Sequence, residues 1–514
     1  MIKKQKIGSE IDWVTTIVPF VIVLCLMLLF MILPEQSKQV VTDMRSFFGD
    51  TIGLYYAFIG IGCMIISLCW AFSGRYGQIV LGDERKPLYS NFKWGTMIFT
   101  STMAADILFY SLCEWALYGG EPHVASLGDL QVWLPTFPLF HWGPIAWASY
   151  VVLAVCFGYM IYVKKRERQR FSEAMRPLFG DKVDGVLGYI IDITAVFAIV
   201  CATATTFSLA TPLLTRALSV VFGIPATTTM VIIVLLLICS IYTITVLFGL
   251  SGISKLASLC SYLFFALLFY FLFLGGETRY IIETGFASIG NLIQNFIGLA
   301  TYIDPLRHDT FAQDWTIYYW AYWLVWSVAT PFFIAIISKG RTIRNVVLGT
   351  FGYGLAGTFM SFIIIGNYGL AQQLKHGVDI VGEVQNGDMY NAIMMIFDTL
   401  PLPSVALILL AVTMIAFYST TLDGITYVAS SYSYKNLKPD QEPSKYIRAV
   451  WSVLLIIFPI ALLFAENSLY ALQSVTIIAA FPVGLMLILI VAAFIKETRL
   501  DIKDVERRTL ENDD

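Results

Sequence analysis

The sequence is poor in charge, because Asp, Glu, Lys and Arg make up only 13% of its 514 residues while 58% are hydrophobic. Soluble globular domains carry about a quarter of charged residues, so this composition excludes a soluble globule. Histidine is scarce too, with four residues, and no His or Cys pair stands at metal-ligand spacing. The eight cysteines fall singly in apolar runs, which indicates packing residues rather than disulfides or a metal centre.

Long apolar runs dominate the chain instead. A hydrocarbon core of ~30 Å needs about 20 apolar residues per helix. Twelve runs approach that length: 13–33, 53–72, 94–118, 142–163, 188–214, 229–250, 256–274, 317–337, 346–370, 402–430, 449–464 and 470–495. The first is too long for a signal-peptide core and lacks a small-residue cleavage site, so we expect a retained anchor. The sequence predicts a multi-span membrane protein with little chain left for a soluble catalytic domain.

The cations are distributed unevenly along the chain. Every even-numbered connection between the runs carries Lys or Arg, whereas residues 119–140 contain neither. By the positive-inside rule, this predicts that both termini are cytoplasmic in a multi-pass protein of the cytoplasmic membrane. We interpret the basic clusters as topology anchors, so no nucleic-acid partner is expected.

One stretch, residues 314–344, is rich in aromatic side chains and ends in a basic cluster. An interfacial aromatic belt explains Trp315 and Tyr318. Four other rings share one helical face through three- and four-residue spacing: Tyr319, Tyr322, Trp323 and Trp326. Trp323 and Trp326 lie too deep for a belt. Converging ring faces suit a quaternary ammonium ion, held by about 2 kcal/mol or more per ring in a dry site. The alternative is that these rings only fill a helix interface.

The run YYWAYWLVW followed by SKGRTIR resembles the signature of the betaine/carnitine/choline transporter family. The resemblance covers nearly the whole chain and implies an all-α integral membrane protein that forms a homotrimer. It implies twelve transmembrane helices, with two extra helices before a leucine-transporter-type 5+5 inverted repeat of spans 3–12. The implied units are 1–92 (N-terminal tail and two peripheral helices), 93–276 (first repeat), 277–315 (external loop with the amphipathic piece ASIGNLIQNFIGL), 316–496 (second repeat) and 497–514 (short cytoplasmic tail).

The resemblance also assigns a substrate site, an aromatic box for a trimethylammonium group. Its residues would come from three spans: Phe109 from span three, Trp142, Trp147 and Tyr150 from span four, and Tyr322, Trp323 and Trp326 from span eight. Near the box, Glu114 matches a glutamate that is usual in the family, with a pocket-rim or capping role. We interpret His141 as a cap or interface residue.

Asp106 is the informative charge of span three, where Ala104 and Ala105 stand at positions that the family commonly fills with glycine. A carboxylate at mid-bilayer depth marks an ion or substrate pathway by default. It could be the counter-ion of a cationic ligand, or it could carry a proton, because burial disfavours its charged form. The alternative is a structural Asp satisfied by hydroxyls and backbone at a helix break. Family members with Asp here resemble proton-coupled choline importers.

A sodium site is the second possibility for coupling. Thr420 and Thr421 match the family's second sodium site, completed by backbone oxygens near Phe417, Thr100 and Met103. Against this, threonines in membrane helices often bond to their own backbone. The first sodium site is in doubt because the partner position of Thr203 holds Ile199. In the segment GLSGISKLASLCSYL, exchangers of the family carry an arginine that stands in for sodium, and this sequence has Cys260 or Ser261 at that position.

The sequence therefore predicts a secondary active transporter, not an enzyme, for a substrate of the choline, glycine betaine, carnitine or butyrobetaine class. Proton symport is our first expectation, sodium symport the second and substrate:product exchange the third, with no cofactor besides the coupling ion. An integral membrane enzyme or a channel is the alternative class. Family members that sense osmotic stress usually carry a longer, strongly basic C-terminal extension, so by the resemblance the short, mixed-charge tail favours nutrient uptake or exchange over osmoregulation.

Overall fold

The computed structural model describes residues 11–101, 104–247, 250–437, 441–464 and 469–513. Met103, which the sequence assigns to a sodium site, lies outside these ranges. Within them the chain is helical, and its β pairings are two isolated bridges, Ile11 with Tyr434 and Val80 with Thr342.

The first half of the chain holds helices from the N-terminal anchor to the sixth predicted span. They are α1 (Trp13–Ile32), α2 (Pro34–Arg45), α3 (Leu54–Phe72), α4 (Asn91–Thr100), α5 (Ala105–Tyr118), α6 (Pro122–Ser126), α7 (Leu130–His141), α8 (Pro144–Gly158), α9 (Phe171–Ala174), α10 (Arg176–Phe179), α11 (Val186–Phe222) and α12 (Thr228–Leu247).

The second half continues from the seventh predicted span. Its helices are α13 (Leu250–Phe269), α14 (Thr278–Thr301), α15 (Ile317–Trp326), α16 (Thr330–Ile337), α17 (Ile343–Ser361), α18 (Asn367–His376), α19 (Ile380–Gln385), α20 (Met389–Asp398), α21 (Pro403–Tyr432), α22 (Lys445–Phe464) and α23 (Leu469–Asp513). π-helical turns extend several of them: Ser46–Thr51, Tyr159–Val163, Tyr270–Leu274, Ala312–Thr316 and Phe362–Gly366.

Seven helices of the described chain are long and apolar enough to cross a membrane, and the number rises to ten if each of three bent helix pairs is one span. The bends measure 63° between α4 and α5, 108° between the end of α13 and α14, and 54° between α15 and α16. The chain is thus a multi-pass membrane protein. Each of the twelve predicted runs falls on a helix or a bent pair, but the number of twelve spans stays a prediction.

The bend between α15 and α16 and the bend between α4 and α5 have different local causes. Pro331 lies in the first turn of α16, where its missing N–H and fixed φ suit a new helix start. Before α5, Ala104 is extended, with φ of −128° and ψ of 154°. The bend places Asp106 in the first turn of α5, where the positive end of the helix dipole favours a carboxylate.

Residues 119–140, which separate two of the predicted runs, are helical in their second half. Residues Leu130–His141 form α7, which contains Pro135 and Pro138 and is largely buried. Helix α14 packs across it, and the Asn291 side-chain amide donates to the Thr136 hydroxyl over 3.0 Å. The predicted amphipathic piece lies within α14. After the 108° bend that precedes it, this helix packs over α7.

A buried group of charges ties distant segments together, and we call it the Arg170 cluster. Arg170 donates to carboxylate oxygens of Asp12 (3.1 Å) and Asp192 (3.2 Å), and to the carbonyl oxygens of Tyr432 (2.9 Å) and Tyr434. The cluster joins the start of α1, the segment before α9, the first part of α11 and the end of α21. Because each ion has partners, the cost of burying the charges is offset.

The centre of the molecule is built by α5, α8, α11 and α15. Nearly every side chain of α5, α8 and α15 is buried. These are the helices that carry most of the predicted substrate site.

Candidate functional site

Four of the predicted box residues meet around Trp323 of α15. The centroid of its ring lies 4.8 Å from that of Tyr150 and 5.4 Å from that of Trp147, both of α8, and 5.6 Å from that of Trp142, the residue that follows α7. These are direct ring contacts. A trimethylammonium group could enter between the rings only if α8 and α15 separated.

A glycine of α17 forms the slot in which the Trp147 ring lies. A Cβ atom built on Gly354 would stand 2.8 Å from three carbon atoms of that ring, closer than side chains pack. Trp147 is itself fully buried. Gly354 thus allows α17 to pack closely against the box.

Asp106 is joined to the aromatic helix by a hydrogen bond. The Tyr322 hydroxyl donates to Asp106 Oδ2, and the Thr206 hydroxyl of α11 lies 2.6 Å from the Tyr322 oxygen. Asp106 is 5% exposed, and its Oδ1 atom has no hydrogen-bond partner within the described chain. Three helices therefore share one polar chain, Thr206 to Tyr322 to Asp106, beside the box.

Two tyrosines that the sequence reasoning did not assign to the site complete this region. The Tyr110 and Tyr318 hydroxyls are 2.7 Å apart, and the Tyr110 ring packs 5.5 Å from Trp142. Tyr318 is fully buried rather than part of an interfacial belt. The sequence pattern that could have indicated them is helical spacing. Tyr110 follows Asp106 by four residues and Tyr318 precedes Tyr322 by four, so each lies on the same helical face as a residue already assigned to the site.

Phe109 and Trp326 do not join the four rings. The Phe109 ring contacts Tyr110 (5.2 Å) and Tyr390 of α20 (5.9 Å). Trp326 forms no ring pair with any described residue, and its buried indole N–H has no acceptor among them. Their assignment to the box stays a prediction.

A second buried polar group, which we call the His141 cluster, borders the box at its other side. The Tyr118 hydroxyl lies 2.7 Å from both Glu114 Oε1 and His141 Nδ1. The Trp142 indole N–H donates to Glu114 Oε2 over 2.7 Å, and His141 Nε2 is 3.1 Å from the Thr316 hydroxyl. Neither Glu114 nor His141 is exposed at all. Glu114 thus holds a wall of the box in place, beyond the rim or capping role predicted for it.

The residues of the predicted sodium site make local hydrogen bonds. The Thr420 hydroxyl donates over 3.0 Å to the carbonyl oxygen of Phe417, and that of Thr100 donates to the carbonyl of Met97. Thr421 is half-buried. This is the backbone bonding that threonine commonly makes in helices, although each oxygen keeps a lone pair for a cation.

Two further positions bear on the coupling ion. The Thr203 hydroxyl donates over 2.8 Å to the carbonyl oxygen of Ile199, so it too bonds to its own helix. Cys260 stands 3.8 Å from the Thr420 hydroxyl. The residue of α13 that lies beside the predicted ion site is therefore Cys260, whose side chain is a neutral thiol.

Charged groups between the spans contrast with Asp106, which forms no ion pair with any described residue. Hydrogen bonds from Arg176 lower the pKa of Asp184 to about 2. Desolvation would raise the pKa of Glu277, but the hydrogen bond from Lys375 contributes to a net lowering. Asp106 instead depends on a hydroxyl and the start of its helix.

The sequence matches the profile of the betaine/carnitine/choline family transporters over residues 14–503. The chain belongs to the betaine/carnitine/choline transporter family. A "Probable glycine betaine transporter" of Desulfitobacterium hafniense (strain Y51) is 29% identical to it over 479 residues, which cover 91% of this chain and 94% of the relative. The predicted family is confirmed, and the protein is a transporter in this family rather than an enzyme.

Proposed function

We propose that the protein takes up a small quaternary ammonium compound together with a proton, using the aromatic box for the substrate and Asp106 for the proton. The observation that carries the proposal is the hydrogen bond from Tyr322 to Asp106. It links the aromatic helix to a buried carboxylate that has no cationic partner among the described residues. A proton on that carboxylate would remove an unfavourable buried charge.

The substrate class follows from the rings around Trp323. Several electron-rich faces attract a cation that has no N–H to donate, and a trimethylammonium group has this chemistry. The relative named for glycine betaine transport supports glycine betaine as the first substrate to test. Choline is the second, because a carboxylate beside the box would also suit a substrate with net positive charge.

The architecture that we propose has twelve spans, cytoplasmic termini and three copies per assembly. Two central spans, α4 with α5 and α15 with α16, are each bent by more than 50°. Broken helices in corresponding positions of two halves are typical of transporters built from inverted repeats. The bends support the 5+5 repeat, and alternating access would then arise from rocking of one group of helices against the other.

Sodium coupling is the alternative mechanism. It rests on Thr420, Thr421 and the nearby carbonyl of Phe417, whose oxygens are suitable ligands for a hard cation. Proton coupling is favoured because Asp106 lies beside the box, whereas the Thr420 hydroxyl already donates within its own helix. Ion-independent exchange would need neither group.

The test is uptake into proteoliposomes of labelled glycine betaine and labelled choline, under an imposed proton gradient, an imposed sodium gradient or neither. We expect accumulation driven by acid outside, and its loss in Asp106→Asn. Accumulation driven only by the sodium gradient would show that sodium, not the proton, is the coupling ion. Movement that ignores both gradients but needs substrate inside would make the protein an exchanger.

A further inference from the structure

With Glu114 ionised, the hydrogen bonds of the His141 cluster determine which of its atoms carry hydrogens. Tyr118 has one proton to donate, and a carboxylate can only accept, so the Tyr118 O–H points to Glu114 Oε1. His141 Nδ1 must then carry the hydrogen that it shares with the Tyr118 oxygen. The Nε2 atom is left as the position at which the cluster can gain or lose a proton.

Nε2 is prepared for both states. Without a proton it accepts from the Thr316 hydroxyl, 3.1 Å away, and with a proton it donates to the same oxygen. A hydroxyl can serve either way because it rotates. The cluster can therefore bind a proton without losing a hydrogen bond, which an ordinary interface histidine is not arranged to do.

The charges that face His141 favour that proton. From α5 it meets Glu114, whose Oε1 is 3.6 Å from Nδ1, and Tyr118. From the segment that begins α15 it meets Thr316 and the ring of Tyr319, stacked 4.8 Å away at 14°. Its own helix and the chain before α15 present the apolar rings Phe137 and Phe311. Glu114 is the one charged group in this set of described residues, so a neutral His141 leaves a net negative charge buried and a protonated His141 leaves a neutral pair.

The cluster is built into two walls of the box. Glu114 accepts the indole N–H of Trp142, and Tyr319 lies between His141 (4.8 Å) and Trp142 (5.7 Å). When His141 is protonated, Glu114 Oε1 is attracted to the imidazolium. The Trp142 indole donates to the other oxygen of the same carboxylate. A shift of the Glu114 carboxylate towards His141 therefore moves the acceptor of this indole, and the charge of His141 affects the position of Trp142.

We propose that His141 is a second proton-binding site of this transporter, and that the proton on its Nε2 atom positions the Trp142 wall of the box through Glu114. The inference rests on the proposed function in taking the box as the substrate site. It is separate from the Asp106 proton, because within the described chain no hydrogen bond joins the His141 cluster to the Tyr322 and Asp106 pair. Since neither His141 nor Glu114 is exposed, the proton would exchange when the ends of α5 and α15 move apart.

The test needs no substrate, so its failure is distinct from a failure of the proposed function. Full-length protein in lipid, labelled with 15N-histidine and 15N-tryptophan, is titrated from pH 9 to pH 5 by solid-state NMR. The chain has four histidines, and comparison with His141→Asn assigns the signal of interest. We expect His141 to pass from singly to doubly protonated, and the Trp142 indole signal, assigned with Trp142→Phe, to move with the same midpoint.

Two variants separate the proposal from a structural role. Thr316→Val removes the acceptor of the protonated Nε2, so we expect proton affinity at His141 to fall at least tenfold, and Thr316→Ser to restore it. Glu114→Gln should disconnect the Trp142 signal from pH. A His141 that keeps one protonation state across the range, or a Trp142 signal indifferent to it, would overturn the proposal. If the Asn variant did not fold, the Thr316 pair would decide the question on its own.

Discussion

The two broken spans at the centre of the molecule are alike in geometry and opposite in chemistry. The α4 and α5 pair bends by 63° and the α15 and α16 pair by 54°. The first carries a carboxylate at the start of its second half, and the second carries closely packed aromatic rings in its first half. Two hydrogen bonds join the helices at these breaks, one from Tyr322 to Asp106 and one between the Tyr110 and Tyr318 hydroxyls. In our proposal the ion is handled at one break and the substrate at the other, and the Tyr322 bond connects them.

Replacing the carboxylate should have the largest effect. We expect Asp106→Asn to reduce proton-driven accumulation by roughly 100-fold, the lower end of what a proton-transferring group contributes, while substrate binding changes less than threefold. Uptake and tryptophan fluorescence in the same proteoliposomes measure the two quantities. Binding that collapses together with accumulation would instead make Asp106 the counter-ion of the substrate.

Asp184→Asn is the matched control. This carboxylate is held by Arg176, and its pKa of about 2 keeps it charged throughout the range from pH 5 to pH 8. Its contribution to stability is present above its ordinary pKa and is lost only as the pH falls through about 2. We therefore expect uptake of this variant to keep the wild-type pH profile.

Removing the central ring should weaken binding without changing the coupling. Trp323→Leu deletes a cation–π contact of about 2 kcal/mol, which corresponds to roughly 30-fold in affinity. Trp320→Leu is the control, because Trp320 is a buried ring of the same helix that packs on Phe140, away from the four box rings. Equal loss in the two variants would mean that α15 needs its tryptophans for packing rather than for substrate.

Cutting the link between the two breaks should have an intermediate effect. Tyr322→Phe keeps the ring and removes the hydroxyl that bonds Asp106, a loss of about 1–2 kcal/mol. We expect fewer protons per substrate, measured with a pH-sensitive dye inside the liposomes. Tyr319→Phe is matched, since the Tyr319 hydroxyl has no hydrogen-bond partner in the described chain. An unchanged ratio in both would show that the Tyr322 bond does not connect ion and substrate.

The smallest effect is expected where only the wall of the box is disturbed. Gly354→Ala places a methyl group against the Trp147 ring, and overpacking of this kind costs about 1–3 kcal/mol. Substrate affinity should fall about fivefold with a lower Tm. Gly352→Ala meets nothing within 4 Å and should change neither. An equal loss of substrate affinity and Tm in Gly352→Ala would show that α17 does not tolerate alanine in general, and that the contact between Gly354 and Trp147 is not the cause.

Much of the fold could be predicted because hydrophobic runs have a required length in a membrane. The run predicted at 53–72 corresponds to helix Leu54–Phe72, and the run at 402–430 corresponds to helix Pro403–Tyr432. Helix α7 was missed because it is short and contains Pro135 and Pro138, signals that indicate a loop. Its stability comes from packing under α14, which no local pattern reveals.

The site could be predicted only in part, because local sequence patterns do not reveal how helices pack against one another. The break before α16 is indicated by Pro331, but Ala104 gives no comparable signal for the break before α5. Helical spacing placed four rings of α15 on one face, and three of them, Tyr319, Tyr322 and Trp323, contact Trp142. It could not tell that Trp323 would contact α8 while Trp326 would not, because ring pairs depend on where a second helix lies.

The Arg170 cluster has a consequence for how the protein is made. Arg170 and Asp12 emerge early from the ribosome, but two of their partners, Tyr432 and Tyr434, are synthesised more than 260 residues after Arg170. Until then the guanidinium lacks two of its acceptors. The contacts of α1 at this cluster can therefore be completed only after the tenth predicted span has been synthesised, which makes the docking of the first helix a late step of assembly.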